Sequence, residues 1–247
     1  MKKIWFSIYD FSFDYKGAEN AFIDDGNFDW AKELSVNIEN ILNELKQYVA
    51  SNNLQSYFNS SMVSKKNSWK TISLKTWGIE LFKNQKHFPI TTALIHKYPQ
   101  IVSASFNLLE PNSTILPHCG DTNSIYRCHL GLEIPNGLPD CGFRVKNETR
   151  AWEKGKWLVF MDAYNHEAWN NTNEERYIFL VDVVRNEFLS KQKFISATVL
   201  TSLFLQKRAE KFSNNLIKQP TMVKIMAKTL RPFAQFSVFI VNLLKAY

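Results

Sequence analysis

The sequence predicts a mainly β domain, a sandwich or barrel, with flanking helices, and three observations carry that expectation. Between Ile101 and Phe188, short apolar runs are separated by turn clusters: Pro111-Asn-Ser-Thr, Cys119-Gly-Asp-Thr-Asn123, Pro135-Asn-Gly-Leu-Pro139, Lys154-Gly-Lys156 and Asn170-Asn-Thr-Asn173. Strands of a few residues punctuated in this way are the pattern of an all-β sandwich or barrel. Ahead of that block, Trp30, Leu34, Ile38, Ile41, Leu42, Leu45 and Val49 recur at helical spacing between Asp29 and about Leu54, with Glu33, Glu39, Glu44 and Lys46 between them. This is an amphipathic helix that packs on something. After Asn186 the turns thin out and helical spacing returns, with Pro220 and Pro232 as expected helix boundaries.

Individual strands are legible from their content. Ser68-Trp-Lys-Thr-Ile-Ser-Leu-Lys75 alternates in polarity, is rich in β-formers and ends near Gly78. Arg127-Cys-His-Leu-Gly-Leu-Glu-Ile134, Gly142-Phe-Arg-Val145, Lys156-Trp-Leu-Val-Phe160 and Arg176-Tyr-Ile-Phe-Leu-Val-Asp-Val183 each have strand length and β-branched or aromatic content.

At 247 residues, the chain accommodates one such domain with extensions. Its 45% hydrophobic and 21% charged residues exclude a disordered chain. The net charge of +7 would suggest nucleic acid if it were spread over the body, but it is not. From Lys191 to Tyr247 ten Lys or Arg face a single acid, Glu210, for a net +9, whereas the remaining 20 bases and 22 acids leave −2. No nucleic-acid partner is therefore expected. The basic tail reads either as a solvated helical face or as a surface for an anionic membrane. Its most apolar stretch, Phe233 to Leu244, is interrupted by Gln235, Ser237 and Asn242 and falls short of the roughly 20 residues that cross a bilayer.

Cys119, Cys128 and Cys141 are odd in number and lack C-x-x-C spacing, which excludes a disulfide framework and a zinc ribbon. The N-terminus has two lysines, but Asp10 and Asp14 interrupt it before an apolar core of secretory length develops. The expected location is cytoplasmic, with peripheral contact at the inner face of the membrane through the tail.

Three of the five histidines, His118, His129 and His166, fall inside the β block; the others are His87 and His96. His118 follows an apolar run and opens a Gly-containing turn, while His166 follows the strand ending at Phe160 and the turn Asp162-Ala-Tyr-Asn165. Both sit at strand mouths, where a metal ligand or a satisfied core histidine would serve. Arg127 and His129 are two apart, so a strand sends both to one face. Arg176 heads a strand whose remaining residues are largely apolar and needs an anion there, since an unpaired buried charge costs several kcal/mol. Either a structural salt bridge to Asp162 or Asp182, or a bound ligand, would meet that need. Trp152 and Trp169 read as core or as substrate contacts.

The blocks Pro117-His-Cys-Gly-Asp-Thr-Asn123, Arg127 through Pro135, Gly142-Phe-Arg-Val, Asn147-Glu-Thr-Arg-Ala-Trp152, His166-Glu-Ala-Trp-Asn170, Arg176 and Val181-Asp-Val183 keep their order over residues 88–188. In this the chain resembles the aspartyl/asparaginyl β-hydroxylase family. The resemblance implies a double-stranded β-helix, a cupin-like jelly-roll barrel, as the family-matching core of a dioxygenase domain of residues 1–190; the helical spacing read above makes residues 191–247 a helical extension. It implies an iron(II)- and 2-oxoglutarate-dependent dioxygenase that uses O2 to hydroxylate an unactivated C–H bond in an Asp/Asn-type residue, a lipid acyl chain or a small molecule. His118 and His166 would be the metal ligands. Gly120 stands where most such oxygenases place a third, carboxylate ligand, water would fill that position, and Asp121 would be an outer neighbour. Arg176 would hold the distal carboxylate of 2-oxoglutarate, with Asn107 beside it where relatives commonly have serine, and Arg127 with His129 would contact the chelating end. A noncatalytic sensor of 2-oxoglutarate or metal, or a membrane-binding module built on the same barrel, is the alternative.

Overall fold

A computed structural model of the chain describes residues 3–10, 14–24, 26, 28–212 and 220–244. The first half runs β1 (Phe22–Ile23), α1 (Asp29–Val36), α2 (Ile38–Val49), β2 (Gln55–Ser56), β3 (Trp69–Thr76), β4 (Ile79–Glu80), α3 (Phe82–Gln85) and α4 (Pro89–His96). Strands then dominate: β5 (Ile101–Leu109), β6 (Ser113–His118), β7 (Ile125–Glu133), β8 (Cys141–Val145), β9 (Glu148–Arg150), β10 (Trp157–Phe160), β11 (His166–Asn170) and β12 (Arg176–Val184). Two helices close the chain, α5 (Gln192–Phe212) and α6 (Pro220–Leu244).

The strands form two antiparallel sheets, as expected of a jelly-roll barrel. The larger has the order β1-β10-β7-β12-β5-β3-β2, with β4 beside β3, and the smaller has the order β6-β11-β8-β9. Alternation along each strand of the larger sheet divides its side chains between two environments. Phe106 and Leu108 of β5, Leu130 of β7 and Phe179 and Val181 of β12 face outward and pack under α1, α2 and α4, with Trp30, Leu34, Ile41 and Leu45. The neighbouring residues face inward toward the smaller sheet, where Leu109, Ile115, Phe143, Phe160 and Ile178 form the second apolar cluster. The two periods place Arg127, His129, Arg176 and Asn107 inside the barrel.

The helical layer is anchored by an unusual cap. Glu44 of α2 is buried, and its carboxylate accepts the backbone N–H groups of Ile90 and Thr91 at 2.6 and 2.9 Å and the Thr91 hydroxyl at 2.6 Å. It thereby satisfies the free donors at the start of α4 and sits at the positive end of that helix.

Two boundaries differ from the sequence expectation. The single helix over residues 29–54 is two helices broken at Asn37, whose side-chain amide donates to the Glu33 carbonyl at 2.9 Å. Asn competes with the backbone for such acceptors, and the chain bends there. Pro220 opens α6 as expected, but Pro232 lies within it. A 25-residue helix tolerates the one backbone bond that a proline removes, and the ring lies on its exposed side. The tail is not detached from the barrel. Ile195 and Val199 of α5 and Ala227 of α6 are buried with Phe6, Trp77 and Val102 in a third apolar cluster.

Candidate active site

The smaller sheet brings the two histidines together. His118 ends β6 and His166 begins β11; the two are direct cross-strand partners, with ring centroids 4.2 Å apart. Each ring is fixed by its own strand, since Nδ1 lies 2.8 Å from the carbonyl oxygen two residues earlier, Leu116 for His118 and Tyr164 for His166. A carbonyl only accepts, so Nδ1 carries the proton and both Nε2 lone pairs are left free. Burial holds both imidazoles neutral. The His118 pKa is pushed down to about 4, with nearby Arg127 acting in the same direction and the Leu116 carbonyl against it. His166 lies well below its ordinary value through burial and the adjoining His118. Two neutral imidazoles with paired Nδ1–H groups and free Nε2 atoms are a donor set suited to a transition metal. Among the described residues, no group of three or more His, Cys, Asp or Glu is placed to hold a metal ion.

The position two residues after His118 is closed. Gly120 donates its N–H to the Asp162 carbonyl at 2.8 Å, and a Cβ on Gly120 would stand 1.8 Å from Asp162 Oδ2 and 2.7 Å from that carbonyl oxygen. The Asp162 carboxylate fills this space from the turn before β11. It is 1% exposed, and its Oδ1 lies 3.8 Å from His166 Nε2. Burial raises its pKa, while Arg127 opposes the shift. Sequence reasoning considered Asp162 only as a salt-bridge partner for Arg176; its place in the turn four residues before His166 was the available signal.

Asp162 and Asp182 both pair with Arg127. Arg127 Nη1 lies 2.8 Å from Asp162 Oδ1, and its Nε and Nη2 donate to Asp182 at 2.7 and 3.0 Å. The cause is register, because β7 and β12 place Arg127 directly opposite Asp182. Arg176 is left without either acid. It is 1% exposed, its Nε and Nη1 have no hydrogen-bond partner, and its guanidinium carbon lies 4.4 Å from the centre of the Trp152 ring. Burial pushes its pKa down to about 10, which still leaves it cationic at neutral pH. His129 Nδ1 and Trp152 Nε1 are also buried without partners. Of the nine such side-chain atoms among the described residues, four belong to Arg176, His129 and Trp152, so unmet polar capacity gathers around Arg176.

Arg176 shares a pocket between the sheets with His118, His166, His129, Arg127 and Asn107. Asn107 is already engaged: its Oδ1 accepts from Trp69 Nε1 at 3.1 Å and its Nδ2 donates to Ser105 Oγ at 2.9 Å. Asp121 turns elsewhere, its carboxylate accepting from Ser202 of α5 at 3.1 Å and from Ser7 at 3.4 Å. Trp152 is core beneath Arg176, and Trp169 is tied to the Pro139 carbonyl at 2.8 Å. Trp69, Asn107, Arg127 and Leu180 also border a groove of about 380 Å3 that leaves the pocket past Tyr57, which stacks on Trp69 at 3.8 Å, toward Lys75.

A cupin-like barrel whose pocket holds a histidine pair and an arginine without an acid partner defines the class of protein. The sequence profile of the family described as Aspartyl/Asparaginyl beta-hydroxylase matches residues 35–186, and the chain belongs to this family. It is 35% identical over 167 residues to the ornithine lipid ester-linked acyl 2-hydroxylase of Rhizobium tropici, a match covering 66% of this chain and 59% of that protein. It is also 35% identical over 133 residues to the aspartyl/asparaginyl beta-hydroxylase of Mus musculus, covering 52% of this chain and 18% of that protein. The match therefore spans less than two thirds of either relative. Among solved structures, a cupin 2 conserved barrel domain protein from Salinispora arenicola aligns over 57% of this chain and 87% of its own, with 11% identity and a TM-score of 0.33.

The contact between Gly120 and Asp162 yields a direct expectation. Gly120→Ala should lower stability by about 1–3 kcal/mol, the usual cost of forcing a group into filled space, and displace the Asp162 carboxylate. A thermal or urea melt checks it, and an unchanged midpoint would show that the space is open.

Proposed function

We propose that the protein is an iron(II)- and 2-oxoglutarate-dependent hydroxylase, and the observation that carries this reading is Arg176. A buried cation with no acid beside it, in one pocket with two free imidazole nitrogens, suits a ligand that has a carboxylate at one end and binds metal at the other. 2-Oxoglutarate has that shape. His118 and His166 would hold iron(II), and Arg176 would take the distal carboxylate with its two-pronged donor. His129, with an unfilled Nδ1, and Arg127 would face the chelating end. Asn107 would line the wall beside Arg176, its amide supporting Trp69 and leaving little donor capacity for the ligand.

When bound, iron(II) with 2-oxoglutarate and O2 supplies the chemistry: one oxygen atom enters the substrate C–H bond and the other leaves in succinate as carbon dioxide is released. The chain's own residues bind, orient and exclude water. Phe143 and Phe160 pack against the His166 ring and keep water from that side of it. Asp162, held by Arg127, sets the charge beside His166.

For the substrate, we favour an acyl chain of a lipid over an Asp or Asn side chain. The relative matched over the larger share of this chain is named for acyl 2-hydroxylation, and an apolar surface adjoins the groove that leads to the pocket. The reading is tested with purified protein reconstituted with iron(II), 2-oxoglutarate and O2 in the presence of a lipid extract. Succinate formation with a gain of one oxygen on an acyl chain is the expected result. Co-substrate binding with no succinate under any substrate would favour the noncatalytic sensor instead.

A further inference from the structure

Helix α6 carries two unlike faces. One is fixed to the body: Ala227 is fully buried, and Asn242 accepts from the Glu80 N–H at 3.1 Å and donates to the Gly78 carbonyl at 2.7 Å, pinning the helix to the β3–β4 hairpin. The other bears Met222, Ile225, Phe233, Phe236, Phe239 and Leu243, which are 46, 58, 70, 64, 62 and 45% exposed. At about 100° per residue these six fall within an arc of about 120°, and at 1.5 Å per residue they extend over about 30 Å. Among the described residues nothing covers them. A soluble surface seldom exposes so many large apolar groups together.

Charge decides between candidate occupants. The segment from Lys191 onward carries ten basic residues and one acid. Lys207 and Arg208 on α5 and Lys228 on α6 are exposed. A second copy seated on this stripe would bring two strongly basic tails together, whereas an anionic lipid surface would meet both the charge and the apolar stripe. No helix among the described residues is long and apolar enough to cross a membrane, so α6 would lie in the plane of the interface.

We propose that the exposed face of α6 seats the protein on an anionic lipid bilayer. The position of the stripe gives this contact a use. Pro232, Phe236, Phe239 and Leu243 wall one side of a cleft against the β3–β4 hairpin, and Lys75 and Trp77 on its far side also border the groove that reaches the pocket. Seated in this way, the protein opens the cleft toward the acyl chains while the barrel stays in water. The inference deepens the lipid reading of the pocket, and the docking is read without turnover, so the two can fail separately.

The test is co-sedimentation of the full chain with vesicles of phosphatidylcholine alone or mixed with phosphatidylglycerol. The expected result is binding to the anionic vesicles that weakens at about 1 M salt, where the screening length falls to about 3 Å. Phe236→Glu with Phe239→Glu should weaken it by at least about tenfold while leaving the melting temperature unchanged, since both side chains are already in water. Lys207→Glu with Lys228→Glu, which leaves the stripe intact, should abolish the preference for anionic over neutral vesicles. Equal binding to both vesicle types by the wild type, or full binding by the Phe variant, overturns the proposal. A wild-type dimer in solution that the Phe variant turns into a monomer, with no vesicle binding, assigns the stripe to a second copy and overturns it too.

Discussion

Replacing His118 or His166 by alanine is expected to abolish iron binding and hydroxylation while leaving the barrel folded. The two imidazoles lie side by side in the pocket with ring centroids 4.2 Å apart, and each is oriented by its own strand's carbonyl. Loss of an outer partner of a metal ligand commonly costs about 10–100-fold in affinity, and loss of one of two protein ligands should exceed that range. Asp162 stands beside His166, with its Oδ1 held by the Arg127 guanidinium at 2.8 Å. Iron stoichiometry and succinate release, measured on variants whose melting transitions remain cooperative, check the expectation. Near-normal turnover in either variant would sink the assignment.

Arg176→Met should have opposite effects on stability and on binding. In the protein without co-substrate, the substitution removes a buried cation that has no acid partner and sits on the Trp152 ring. Replacing such a charge by an apolar side chain of similar reach is often neutral or stabilising, so the melting temperature should hold or rise. Co-substrate affinity should fall by about 2–5 kcal/mol, roughly 30- to 4000-fold, the cost of breaking a buried charge-assisted pair. Arg176→Lys should recover only part, since an ammonium cannot reproduce a planar fork. Titration with 2-oxoglutarate beside a thermal melt separates the two effects. If affinity stays within about threefold, another residue holds the distal carboxylate; if instead stability collapses, Arg176 is a structural residue.

Much of this arrangement was legible because it depends on local period and local turns. Alternation in β7 placed Arg127 and His129 on one face, the apolar strand behind Arg176 marked it as a buried charge, and the turn clusters marked the strand ends that carry His118 and His166. What was not legible depends on register between distant strands. Nothing near Arg127 in sequence says that Asp182 lies opposite it, yet that pairing takes both candidate acids away from Arg176 and leaves it open for a ligand. Asp121, expected as an outer neighbour of the metal ligands, hydrogen-bonds to Ser202 because α5 packs over that corner of the barrel, a long-range contact without a sequence signature. The break at Asn37 and the continuation of α6 through Pro232 are boundary effects in which a side-chain hydrogen bond and helix length outweighed simple periodicity. The two-faced character of the tail, packed on one side and open on the other, required knowing which positions the barrel covers.

The shared volume of Gly120 and Asp162 also restricts the paths that mutation can follow. An arrangement of two histidines and a carboxylate two residues after His118 differs from this one by a side chain at position 120, but that side chain's Cβ would stand 1.8 Å from Asp162 Oδ2. Neither position can change toward that arrangement alone: enlarging 120 first clashes, and shortening 162 first leaves Arg127 with one acid fewer and a hole beside His166. The two forms are therefore separated by an intermediate that is worse than either, and a lineage with glycine at this position tends to keep both residues together.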